Sequence, residues 1–306
     1  MTDALRPRRS VLYMPGANQR ALEKARELPC DGVIFDLEDA VAADAKADAR
    51  ANVAAALEQG GYGYREVVVR VNALDTPWGR EDVAAVAALP ADALLFPKVQ
   101  STRQIDEIVA ALDAAGGQDK PVWIMVETPR AVLDVAALAS HSERVAVLVM
   151  GTSDLVKELR ARHTPTRHNL AYALQHCVLA ARDSGRDLLD GVHLEFRDLD
   201  SFRQACEQAR DMGFDGKTLI HPSRHRHAAM CGVRLPPRRG GRSRPPCSGC
   251  LAGGNRGGQR GGGARRPARG KPARCGGAAG AGIRRRAGPA YSVAHRFNRP
   301  LCGPPA

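Results

Sequence analysis

The chain has 306 residues, 45 Lys and Arg against 33 Asp and Glu, and a pI near 9.7; this length holds one barrel of about 250 residues or two smaller domains. Of the 45 bases, 19 follow residue 223 in a stretch without an acid, so the first 223 residues carry 26 bases against all 33 acids. That split excludes reading the body as a basic surface for nucleic acid, and the three scattered body cysteines, Cys30, Cys177 and Cys206, exclude a disulfide framework.

The opening MTDALRPRRS lacks the apolar run of a secretory signal, and no window approaches the length of a spanning helix. A reduced, cytoplasmic protein without a membrane partner is expected. From Ser10 onward one unit repeats: a short apolar or β-branched run, a polar or Gly/Pro loop, then a stretch of helical period. The runs in order are SVLYMPG, GVIFDLED, EVVVRVN, ALLFPKV, PVWIMVE, VAVLVMG, DLLDGVHL and GKTLIHP. Helices are expected between them over NQRALEKARELP, KADARANVAAALEQG, REDVAAVAALP, TRQIDEIVAALDAAGG, TPRAVLDVAALA and LDSFRQACEQARDMG. Continuous apolar runs alternating with helices predict a parallel sheet covered on its faces. Eight such units predict an α/β protein with a closed (β/α)8 TIM barrel, occupying residues 1–223.

In such a barrel the residues at the carboxyl ends of the strands converge on one rim and build the site. Glu127 closes PVWIMVE, and Asp154 follows VAVLVMG inside GTSDL. Two short anionic groups after successive strands suit a hard divalent cation such as Mg²⁺, although each also has the sequence position of a helix cap. The second run ends in Asp36, Glu38 and Asp39, the third in Arg70 and Asn72, the fourth in Pro97 and Lys98, and the eighth in His221 and Pro222. Arg70 stands in an otherwise apolar strand and needs an anionic partner. Its planar fork would grip a substrate carboxylate through two hydrogen bonds, or make a structural ion pair with Asp36, Glu38 or Asp39. The three acids cannot all face one side of an extended segment, so at least one lies behind the site or at the surface. Lys98 reads equally as a phosphate ligand and as a solvated strand-end charge. His221, before a proline, reads more readily as held by backbone than as a general base. Gly16 and Gly151 sit just past strands, where glycine permits close approach to a ligand. Arg20 and Lys24 follow Gly16 on a helix that offers a phosphate platform.

The segments RSVLYMPGAN, DLEDAV with its following lysine and AR, VVVRVN, FPKV, ETP, MGTSDLVKELRAR and GFDGKTLIHPS lie in order over residues 8–223. Together they resemble the citrate lyase β-subunit-like CoA-ester lyases, malyl-CoA lyases among them, of the HpcH/HpaI aldolase superfamily. The resemblance implies a barrel that assembles as a homo-oligomer, often a trimer, with Mg²⁺ held by Glu127 and Asp154. It implies a catalytic set of Arg70, Asp36 and Glu127, with substrate bound by Arg70, Glu127 and Asp39, and CoA phosphates approached by Arg20, Lys24 and Lys98. Related metal-dependent pyruvate aldolases carry a Glu-His pair where this chain has Glu38 and Asp39, which argues against an aldolase without CoA. The implied reaction is cleavage between C2 and C3 of a 3-hydroxyacyl-CoA thioester of the citryl, malyl or citramalyl type, giving an acyl-CoA and a 2-keto acid. It needs a deprotonated hydroxyl, a stabilised thioester enolate and a held keto acid. A divalent cation and an arginine meet those needs, and the base stays open, with Asp36 one candidate.

The resemblance stops at Ser223. Residues 224–306 are rich in Arg, Gly and Pro, have neither helical nor strand period, and are expected to be disordered. The barrel would then lack its last helix and the C-terminal lid that supplies a catalytic Asp in malyl-CoA lyases. The stretch reads either as an arginine-glycine arm for RNA or another polyanion, or as an out-of-frame continuation of GC-rich coding sequence. A break inside a structural unit and the near absence of aromatics favour the second, so nucleic acid is not expected as a partner. Cys247 and Cys250 have no second pair to complete a zinc site. A CoA-independent metal aldolase and a non-catalytic polyanion-binding protein stand as the alternatives to the lyase.

Overall fold

The computed structural model describes residues 6–195 and 197–222. All eight runs are strands: β1 (Ser10–Pro15), β2 (Gly32–Asp36), β3 (Glu66–Arg70), β4 (Ala93–Phe96), β5 (Val122–Val126), β6 (Val145–Met150), β7 (Asp187–Asp190) and β8 (Gly216–Leu219). Each pairs in parallel with the next, and β8 closes on β1 with Val11 opposite Thr218. The helices are α1 (Gln19–Lys24), α2 (Lys46–Gln59), α3 (Gly79–Val86), α4 (Thr102–Ala114), α5 (Pro129–Leu133), α6 (Val135–Ser140), α7 (Thr152–Glu158), α8 (Ala171–Ser184) and α9 (Leu199–Met212).

Alternation along each strand divides the apolar runs between two cores. Val11, Ile34, Val68, Leu95, Trp123, Met125, Val147, Val149 and Leu189 fill the barrel interior. Leu12, Val33, Phe35, Val69, Leu94, Phe96, Ile124 and Leu148 belong to the layer packed against the helices. Fully burying such a Leu, Ile, Val or Phe contributes about 1.5–3 kcal/mol over leaving it exposed. The same parity carries to the strand ends. Asp36 lies two residues after Ile34, Arg70 two after Val68 and Glu127 two after Met125, so three charged side chains inherit the inward direction at the carboxyl mouth. At the opposite face Arg8 closes the barrel, bonding both oxygens of Glu66 at 2.6 and 2.7 Å, pairing with Asp187, and lying 5.3 Å from the Trp123 ring.

β7 and β8 are joined by a buried charge cluster on the layer outside the barrel. Asp190 accepts from Lys217 Nζ at 2.5 Å and from Arg167 Nη1 at 2.7 and 2.9 Å. Burial alone would raise the pKa of Asp190, but Lys217 and Arg167 outweigh it and hold the carboxyl below the usual range.

One expected element differs. TPRAVLDVAALA forms two short helices, α5 and α6, because at Asp134 the backbone (φ −99°, ψ 8°) leaves helical geometry while its N–H still bonds Arg130. Cys30, Cys177 and Cys206 are all buried. Among the described residues no helix is long and apolar enough to cross a membrane. The expectations for residues 224–306, disorder and a missing last helix and lid, lie outside the described residues.

Candidate active site

Strand register sets the first contact. Asp36 lies opposite Arg70 in the β2–β3 pairing, and Nε and Nη2 of the guanidinium donate to its two oxygens at 2.7 and 2.5 Å. The same carboxylate accepts the backbone N–H groups of Glu38 and Ala40 at 2.9 and 3.2 Å. With four acceptor positions in use, Asp36 is tied both to Arg70 and to the DLED turn, a poor state for a base. Nη1 of Arg70 stands 2.8 Å from Glu38 and 3.3 Å from Asp39, and the guanidinium lies 4.9 Å from the Tyr13 ring. Burial opposes the Arg70 charge, but the groups around it, Asp36 and Glu38 among them, hold its pKa well above the usual value. The structural ion pair considered from the sequence therefore forms. Asp36 takes the Nε–Nη2 edge, and Nη1 stands within ion-pair distance of Glu38 and Asp39, so a two-bond grip on a substrate carboxylate would have to displace one of these acids.

Of the three acids, Asp36 and Glu38 are buried and Asp39 is exposed at the mouth. Their turn is held from below by a group the residue pattern did not single out. Lys46 is buried and donates from Nζ to the carbonyls of Leu37 and Glu38, both at 2.7 Å, and to Asn72 Oδ1 at 2.9 Å. Asn72 in turn donates to Asp82 at 2.6 Å. A lysine opening the core-facing stripe of a helix, seven residues after the last acid of the DLED cluster, is the sequence signal for such a support.

Glu127 follows β5, and its Oε1 accepts the Lys98 N–H at 2.8 Å. Neither carboxylate of the proposed pair is a cap. Thr128 caps α5 by accepting from Ala131 at 3.1 Å, and Asp154 is the third residue of α7, which has no side-chain cap. Gly151 explains how Glu127 fits: a Cβ there would stand 2.4 Å from both Cβ and Oε2 of Glu127, so only glycine leaves room for the carboxylate over the start of α7. Gly16 makes its close approach to the protein itself, donating its N–H to Asp36 O at 2.9 Å. Burial, with the charges of Glu38 and Asp154, pushes the Glu127 carboxyl up to about 8, against the Lys98 N–H and Arg70.

Asp36, Asp39, Arg70, Glu127 and Asp154 all line one cavity of about 350 Å³, with Tyr13, Met125, Met150, Thr152, Ser153 and Val192 among the other wall residues. Thr152 and Ser153 carry no sequence signal beyond their place in GTSD. Ser153 Oγ is buried and without a partner among the described residues. Lys98 is half-exposed, places Nζ 3.5 Å from Glu38, and lines a neighbouring cleft of about 480 Å³ that shares Asp154. Arg20 and Lys24 are exposed on α1, and His221 is exposed beyond β8; none of the three lines the cavity.

No group of three or more His, Cys, Asp or Glu side chains among the described residues is placed to hold a metal ion. Glu127 and Asp154 line the same cavity, and two carboxylates would suit Mg²⁺ better than a cation needing an all-protein cage, since Mg²⁺ keeps several waters and takes substrate oxygens. The cradle that Gly151 leaves for Glu127 is built for a carboxylate in that position.

The profile of the HpcH/HpaI aldolase/citrate lyase family matches residues 9–222. A (3S)-malyl-CoA thioesterase of Cereibacter sphaeroides is 49% identical over 223 residues, 73% of this chain and 76% of the relative. The citrate lyase subunit beta of Escherichia coli is 34% identical, over 71% of this chain and 74% of the relative. In structure the chain is similar to protein CitE from Mycobacterium tuberculosis in complex with magnesium, acetoacetate and coenzyme A, with a TM-score of 0.63 and 27% identity over 76% of this chain and 82% of that one. A family match that runs from the first strand past the last, on a barrel whose inward strand ends carry the acids and the arginine, makes this chain a member of the HpcH/HpaI aldolase/citrate lyase family.

Proposed function

We propose that this chain cleaves the C2–C3 bond of a 3-hydroxyacyl-CoA thioester of the malyl, citramalyl or citryl type, with Mg²⁺ held by Glu127 and Asp154. The observation that carries the reading is the convergence of Arg70 with these two acids on one cavity of about 350 Å³. The thioester comes from the relatives: malyl-CoA is the substrate named for the C. sphaeroides protein, and CitE of M. tuberculosis holds magnesium and CoA together. When bound, Mg²⁺ supplies positive charge that lowers the cost of the oxyanions formed as the bond breaks.

The protein's own groups orient the substrate. Arg70 takes the carboxylate of the departing keto acid at Nη1, which means displacing the 2.8 Å contact of Glu38 and the 3.3 Å contact of Asp39. Asp36 keeps the guanidinium in one plane, so that binding energy from the carboxylate places the scissile bond. Met125, Met150 and Val192 keep water off the reacting carbons. The cavity takes the acyl portion and leaves the nucleotide outside, where Lys98 in the neighbouring cleft meets it first; Arg20 and Lys24, exposed on α1, are the further candidates for its phosphates. A homo-oligomer belongs to the same proposal, and light scattering on the eluted protein tests it.

A second reading has one observation in its favour: the relatives at 48–49% identity are named for hydrolysis of the thioester. Incubation with malyl-CoA, with and without Mg²⁺, separates the two. Bond cleavage releases acetyl-CoA and glyoxylate with no free thiol, whereas hydrolysis releases malate and one CoA thiol per turnover. Substrate loss that ignores both EDTA and the Glu127→Gln substitution would sink the metal-dependent reading in either form.

A further inference from the structure

We propose that Lys98 is a positioning residue for the acid pair and that it acts through its main chain. The inference rests on the metal reading above, since it says how Glu127 is kept in the attitude that receives a cation. Lys98 follows β4 by two residues and has φ 55°. Lysine gains nothing from the left-handed region, which costs an L-residue roughly 1–2 kcal/mol. The turn aims the Lys98 N–H across to the end of the neighbouring strand, where it meets Glu127 Oε1 at 2.8 Å. One oxygen is thereby fixed from the β4 side while Gly151 gives the carboxylate its bed from the β6 side, where Oε2 would touch any Cβ. Between them the two contacts leave Glu127 one orientation, with Oε2 towards Asp154's helix.

The Lys98 side chain is the weaker agent. It is 49% exposed and, among the described residues, its one ion pair is with Glu38 at 3.5 Å, while the charges of Glu127 and Asp154 act on it from farther off, contacts that solvent screens to little net effect. The backbone N–H, in contrast, has a short bond to a buried carboxylate, the kind of supporting contact whose loss lowers metal affinity about 10–100-fold.

The test is Mn²⁺ binding to the full chain, read from the electron paramagnetic resonance signal of free Mn²⁺, with a thermal melt beside it. Lys98→Gly removes the ammonium and accepts the left-handed turn freely, so its Kd is expected within about threefold of the parent's. Lys98→Val has a β-branched side chain that resists φ above zero, and its Kd is expected to rise about 10–100-fold. If Lys98→Val does not fold, Lys98→Ala takes its place with a several-fold rise expected over Lys98→Gly. A Val or Ala variant that binds Mn²⁺ as tightly as the Gly variant overturns the inference. So does a Gly variant as weak as the Val variant, because the ammonium would then be responsible. Glu127→Gln is the control: if it binds Mn²⁺ like the parent, the metal reading itself has failed, and if it loses Mn²⁺ while the Lys98 series stays flat, only the positioning role has.

Discussion

Gly151→Ala is a one-methyl test of the proposed metal site. The new Cβ would lie 2.4 Å from Cβ and from Oε2 of Glu127, where ordinary contacts begin at 3.4 Å, so about 1 Å must be found in two places at once. A rotamer change at Glu127 frees only Oε2, because its Cβ is fixed by the backbone at the end of β5. The start of α7 must therefore move away from β5, taking Asp154 with it. Overpacking of this kind costs about 1–3 kcal/mol of stability, which leaves a barrel of this size folded. The functional loss should be larger in proportion, since a displacement of about 1 Å in a reacting geometry costs on the order of 100-fold, or about 2.7 kcal/mol in the barrier. Mn²⁺ titration and kcat/KM for malyl-CoA read both effects, with a melt to exclude unfolding. A variant with native Mn²⁺ affinity and native turnover would show that Glu127 is not held over α7 for a cation.

Three further outcomes follow from the charge clusters. Arg70→Lys keeps the positive charge and loses the planar fork that fixes Asp36, so KM for the thioester should rise and kcat/KM fall by about 100-fold, or about 2.7 kcal/mol; a variant with unchanged kcat/KM would remove Arg70 from the site. Asp190→Asn leaves Lys217 buried without its anion, a change that costs about 3–5 kcal/mol in such pairs; the melting temperature should drop by roughly 6–20 °C, and calorimetry reads it. The same carboxylate sets a pH dependence. Its folded pKa lies below that of the unfolded chain, about 3.9, so its contribution is complete above that value and is lost as pH falls through the depressed folded value. Urea midpoints measured from pH 7 down to pH 2 should fall more steeply at the acid end for the parent than for Asp190→Asn, and parallel curves would contradict the linkage.

What the sequence determined was the barrel and the direction of its charged strand ends. Continuous apolar runs are a local signal, and alternation within them is enough to send Asp36, Arg70 and Glu127 the same way as Ile34, Val68 and Met125. Tertiary structure alone decided which of those groups meet. Parallel register puts Asp36 beside Arg70, so the guanidinium arrives with one edge already bound, and no spacing in the chain reports that register. The Lys98 N–H on Glu127, the ammonium of Lys46 under the DLED turn and the Lys217–Asp190 bond all join segments from different strands or helices. The same cause places Arg20 and Lys24 on an exposed helix away from the cavity that their order in the chain had suggested. Periodicity is written residue by residue, whereas a hydrogen bond between distant segments exists only once the barrel has closed and fixed how its strands are staggered.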